Sequence, residues 1–344
     1  MLEYKTLLRQ LCGIMSISGC EREAAAEVKS IVGGFFDSVT IDSARNIILY
    51  KKSTKHADNM EKIIIYAHFD EIGMIVTDIT DEGLLHVHQV GGIDRSILPA
   101  SEVWVYGEEK LYGVVASTPP HLAKPGDNKA PEWNDILIDI GYTKEKAEKL
   151  APIGTLVGYY YSGDDLLSDR ITGRGFDDKA CAAALICAVA DTPSDELEYD
   201  VYITLSAGEE VGGGGAKCAA YTIEPEFAIV TDVNFAKTPG VSDTEGGKFG
   251  AGPMISLSAV TDRPLTKKII AAAKASEIPY TPVVEPTNTG TNANTLVFSR
   301  EGIPTAVVSL PLGGMHSYSE TLSLSDAEYF MKLMTRIIKG GLNG

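Results

Sequence analysis

The chain lacks the cysteine spacing of a zinc ribbon or a disulfide framework. Its five cysteines, Cys12, Cys20, Cys181, Cys187 and Cys218, are odd in number and form no C-x-x-C pair, which predicts a reducing, cytoplasmic setting. It is short of positive charge: 30 Lys and Arg face 47 Asp and Glu, a formal net charge of −17, so nucleic acid and anionic membrane surfaces would be repelled. It lacks any apolar run of the roughly 20 residues that a membrane span needs, and its start has no signal-type apolar region. The glycine cluster at 212–215 is followed by no G-K-[ST], which argues against a phosphate cradle. No repeat and no low-complexity segment is visible.

What is present is a long, apolar-rich chain of 344 residues with 44% hydrophobic content, enough for one large core or a core with a smaller domain. Residues 4–11 space Tyr4, Leu7, Leu8 and Leu11 as one helical face, and a second helix is predicted around 23–31. Strands are predicted at 38–41, 46–50 and 63–66. From 73 to about 161 the texture changes to short β-type runs broken by turn residues, with a polar, Pro-rich loop at 117–131. Beyond 163, strands at 201–205, 227–230, 254–257 and 305–310 alternate with helices at 179–189, 265–275 and 325–338. This pattern predicts an α/β fold, a mostly parallel sheet sandwiched by helices and interrupted by an inserted β-barrel-like domain. The expected division is 1–70 with 166–344 for the sheet domain and 71–165 for the insert, whose strand edges a soluble protein must cover or pair, predicting oligomer contacts.

Polar groups recur at the ends of apolar runs. His68 and Asp70 flank Phe69 just past the third predicted strand, and alternation lets imidazole and carboxylate share a side; a carboxylate taking the second ring N–H would fix the ligating tautomer. Asp177-Asp178 precedes an Ala-rich helix, where acid also suits the helix dipole. Glu209-Glu210 follows the strand at 201–205, and two adjacent carboxylates repel unless cations neutralise them. Asp232 and His316 follow two further strands. Alone, each is better read as a turn former, a helix cap or a structural hydrogen-bonder. Together they are the ligand set of a hydrolytic divalent metal, gathered where open α/β sheets bind ligands, with enough donors for two ions.

In order along the chain, Ser18-Gly19-Cys20-Glu21, Ala67-His68-Phe69-Asp70-Glu71-Ile72-Gly73, Gly91-Gly92-Ile93-Asp94, Phe176-Asp177-Asp178-Lys179, Glu209-Glu210-Val211-Gly212, Thr231-Asp232-Val233 and His316-Ser317 resemble the tetrahedral aminopeptidases, which include glutamyl aminopeptidases. The resemblance implies a metalloaminopeptidase acting on short peptides with two divalent ions per subunit, zinc or cobalt by their shared taste for N and O ligands. It implies that His68 and Asp232 bind one ion, Glu210 and His316 the other, and that Asp177 bridges them across a cis bond to Asp178. Glu209 would be the general base that yields a bridging hydroxide, and Asp70 the group orienting His68. The insert would cap the site and build a homo-oligomer, typically a dodecamer. The chain departs from the family pattern at Cys181, Asn292 and Gly313-Gly314-Met315, none of which removes a ligand. The alternatives are a related amidohydrolase or deacylase and, since paired carboxylates also cleave sugars, a glycoside hydrolase.

Overall fold

The computed structural model describes all residues except 1, 56–59, 118, 120, 122–128, 162, 243–245 and 343–344; most of the loop expected at 117–131 thus lies outside the described residues. Four strands form the centre of an eleven-stranded sheet, in the spatial order Asp200–Ser206, Lys62–His68, Phe227–Phe235, Thr305–Gly313, all parallel. Their burial is near complete, as in the all-apolar run Ile63-Ile64-Ile65, which is what a strand covered on both faces requires. Antiparallel strands extend the sheet: Ile47–Lys51 and Ser38–Ile41 beyond one side, Glu320–Ser323, Arg170–Gly173 and Asp164–Leu166 beyond the other. Met254–Ser258 joins Thr305–Gly313 antiparallel and carries Thr281–Glu285 in parallel beside it, so the sheet is mixed around a parallel centre.

Helices cover both faces. On one lies Phe176–Ala190, flanked by Tyr4–Gly13 and Leu324–Arg336. Residues 176–189 are all buried, so this helix is apolar all round, as a helix packed on every side must be. The other face carries Gly214–Ile223 and the short Ala293–Leu296, packed on Ile64, Tyr66, Ala228 and Val230. Among the described residues no helix is long and apolar enough to cross a membrane.

Between the strand ending at His68 and the strand Asp164–Leu166, the chain makes a six-stranded closed barrel, in the order Gly73–Ile79, Leu85–Val90, Leu137–Asp139, Lys110–Val115, Glu102–Tyr106, Leu156–Tyr159. Met74, Val76, Val87, Val103, Val105, Ile138 and Val157 fill it as a cluster of its own. Closure removes free edges, so the argument that exposed insert edges demand partners does not hold.

Candidate active site

The parallel strands deliver their carboxyl ends to one place. His68 is the last residue of its strand rather than a residue beyond it. The register that pairs Val230 with Tyr66 sets Asp232 level with His68, and the same strand end pairs His68 with Ser206, from which the chain turns into Gly208 and the single turn Glu209–Val211. Asp177 stands at the head of the buried helix, joined to Asp178 by a cis peptide bond as expected. His316 follows the strand Thr305–Gly313.

These placements bring five of the expected groups together. Asp177 is the hinge: its Oδ1 lies 2.8 Å from His68 Nε2 and its Oδ2 3.3 Å from His316 Nε2. Asp232 Oδ1 is 3.7 Å from the same His68 nitrogen, and Glu210 Oε1 is 3.4 Å from the same His316 nitrogen. The result is two triads, His68–Asp177–Asp232 and Asp177–Glu210–His316, each with its donor atoms within 4.8 Å of one another. Glu209 belongs to neither triad.

Asp70 is placed differently from expectation. It is the Asp70 main-chain carbonyl, 2.8 Å away, that accepts from His68 Nδ1; because a carbonyl only accepts, Nδ1 carries the proton and Nε2 faces the triad. The Asp70 carboxylate instead accepts the Glu209 N–H at 3.0 Å, the Glu210 N–H at 3.1 Å and the Ser18 hydroxyl at 2.6 Å. It fixes the turn that carries both glutamates. Glu21, also buried, accepts the Gly208 N–H at 3.0 Å and so holds the same turn from behind.

Around the triads stand several residues that carry no separate signal in the sequence. Glu71, Arg174 and Lys179 form a buried ionic group, with Glu71 Oε2 2.6 Å from Arg174 Nη1 and Oε1 3.4 Å from Lys179 Nζ. Burial alone would raise the Glu71 carboxyl, but Arg174 and Lys179 hold it below its usual value. Glu71, Arg174, Ile72, Tyr159 and Ser317 line the cleft beside Asp177, Glu210 and His316. The barrel closes that cleft at Gly91-Gly92: a Cβ on Gly92 would sit 3.0 Å from His316 Nδ1, and one on Gly91 3.3 Å from Glu210 Cβ. Of the departures, Cys181 is buried with its Sγ 3.1 Å from the Asp232 carbonyl, and Asn292 donates to Ser206 Oγ at 2.8 Å.

The electrostatics describe a site crowded with negative charge. Burial pushes Glu209 up to about 7, against the pull of His68 and with the push of Glu210 and Asp177. Burial likewise raises Asp232, helped by Asp178, and raises Glu210. His316 is pushed up to about 11 by its hydrogen bonds to Asp177 and Glu210. Burial disfavours a charged His68, yet Asp177, Asp232 and Glu209 carry it well above the usual imidazole range. The same two imidazoles hold Asp177 well below the usual carboxylate range despite its burial. Protons thus occupy the places where positive charge is wanted, and imidazole with carboxylate is a donor set suited to divalent cations. The residues fit such a pair of ions.

A family model of the M42 glutamyl aminopeptidases matches residues 45–333. The chain belongs to this family. As an M42 aminopeptidase it is a hydrolase acting on peptides, with a fold shared across its length by solved relatives. It is 32% identical to the lysyl aminopeptidase of Pyrococcus furiosus, over 97% of this chain and 96% of that one. The crystal structure of a TET aminopeptidase from a marine-sediment thaumarchaeote is similar with a TM-score of 0.90 at 28% identity, covering 99% and 98% of the two chains. The TET1 peptidase of Pyrococcus horikoshii follows at 0.86 and 32%, covering 98% and 99%.

Proposed function

We propose that this M42 aminopeptidase removes N-terminal residues from short peptides at a dinuclear centre. His68, Asp177 and Asp232 would hold one divalent cation, and Asp177, Glu210 and His316 the other, zinc or cobalt by ligand type. The observation that carries this is the division of Asp177, one oxygen turned to each triad. When bound, two such cations acidify a water between them and polarise the scissile carbonyl.

The protein's own residues supply the rest. Glu209, outside both triads with a carboxyl at about 7, is the general base: it takes the proton from the attacking water and returns it to the leaving amine. Asp70, accepting the Glu209 and Glu210 N–H groups, keeps base and ligand at fixed spacing. The Gly91-Gly92 segment and Tyr159 wall the cleft from the barrel side. We assign the sheet domain, 1–70 and 166–344, to catalysis and the insert, 71–165, to capping and assembly. A homo-oligomer accords with two solved structures of TET1 peptidase, one with a dodecamer in its asymmetric unit and one of a peptidase that can assemble into a tetrahedron or a large octahedral shell. Five unpaired cysteines suit a cytoplasmic setting.

The adjacent glutamates separate the roles. Glu209→Gln should leave metal content nearly unchanged and lower kcat by about 10²–10⁴, whereas Glu210→Gln should lose one of the two ions, both read by mass spectrometry beside turnover of aminoacyl anilides. The reverse pattern would exchange base and ligand, and no effect of either on turnover would end the dinuclear reading. Chelation should abolish turnover; anilide hydrolysis that survives in chelator would end the metal-dependent reading.

A further inference from the structure

Glu320 opens the strand Glu320–Ser323 and is 2% exposed. It is in neither triad. Its carboxylate instead collects three main-chain donors from two separate segments. Oε2 accepts the N–H of Phe176 at 2.7 Å and of Asp177 at 3.2 Å, and Oε1 accepts the N–H of His316 at 3.1 Å.

The two segments need such a tie. His316 has φ +60°, a left-handed conformation unfavourable for a residue with a Cβ, and Phe176 follows Gly175 at φ +68°. Backbone of this kind persists where its surroundings enforce it. One carboxylate thus spans the gap between Asp177, which serves both triads, and His316, which completes the second.

We propose that Glu320 is a positioning residue of this centre: by fixing the main chain of Asp177 and His316 together it sets the affinity of the second triad for its cation. The proposal rests on the reading of the triads as cation sites. Glu320 touches no reacting atom, and its effect is transmitted through His316 and Asp177. The carboxylate is required because donors arrive at both oxygens. An amide offers one acceptor oxygen and turns an NH₂ toward an N–H on the other side, and aspartate is a methylene too short to reach both segments.

The test uses metal-free full-length protein titrated with cobalt(II), following heat and the visible spectrum, with unfolding midpoints measured alongside. The wild type should take two ions per chain. Glu320→Gln should bind the first with little change and the second about 10–100-fold more weakly, the usual effect of losing an outer partner of a ligand. Leu322→Ala is the control. Leu322 is fully buried on the same strand, so this variant should lower stability while leaving both affinities alone. If Glu320→Gln binds both ions as tightly as Leu322→Ala does, Glu320 only anchors the strand and the proposal is overturned. Should Glu320→Gln fail to fold, Glu320→Asp carries the test with the same two outcomes. A wild type that binds no pair of ions would instead refute the dinuclear reading itself.

Discussion

Glu71, Arg174 and Lys179 bring three ionisable groups to a place where none is more than 3% exposed. Such a group is costly to assemble, but costlier to break from one side. Glu71→Gln leaves two buried cations without their counter-charge, and the expected loss of stability is about 3–5 kcal/mol. The pH dependence follows from the sign of the shift. Glu71 titrates lower in the folded chain than its ordinary value of 4.5. The stabilisation is therefore present in full above that value and disappears as pH falls through the folded one. Urea midpoints of wild type and variant should differ widely near neutral pH and converge in acid; an equal gap at both would remove the ionic explanation. At this scale the five side chains that the structure gathers were legible because each borders an apolar run in its own stretch of sequence. Glu320 was not, since its partners Phe176 and Asp177 lie 144 and 143 residues away and a main-chain N–H leaves no mark in a sequence. Asp70 was legible by its position beside His68, but that its carbonyl accepts from the ring at 2.8 Å while its carboxylate stays 3.8 Å away depends on the turn that follows.

The helix Phe176–Ala190 shows why small residues run along the middle of the chain. Ala180, Ala182, Ala183 and Ala184 are fully buried, and the helix packs on five strands and two helices at once, so side-chain volume is limited on every side. Ala183→Leu adds three carbons to a filled interior and should cost about 1–3 kcal/mol. That would be seen as a lower denaturation midpoint with unchanged slope; a neutral result would mean the helix has slack. Cys181 and Cys187 fit the same account, as buried small residues. Elements of this kind were legible from composition, as were the central strands. The helix Gly214–Ile223 was missed because glycines open it and outweigh its alanines. The strand Thr281–Glu285 was missed because Pro282 interrupts its pattern, which the sheet tolerates since, among the described residues, this strand pairs only with Met254–Ser258.

The whole molecule is organised around separate apolar clusters, one inside the barrel and two on the faces of the sheet. The alternation of β and α elements announced the sheet, and the change to short β runs announced the insert. A barrel-like insert was expected, but which strands meet to close it was not legible, because that depends on pairing Met74 and Ile75 with Val157 and Leu156, a long-range match that no local pattern encodes. With no edge left open in the barrel, contacts made by the insert would use side-chain surface. Light scattering at micromolar concentration should show a multimer; a monomer would remove assembly from the reading. Gly91 and Gly92 bear on how such a chain can diversify. Most of the barrel surface can change without reaching the chemistry, but at these two positions even a methyl group would press on Glu210 or His316. New recognition surfaces can be grown on the described parts of this insert away from Gly91-Gly92 and Tyr159, which face the candidate site.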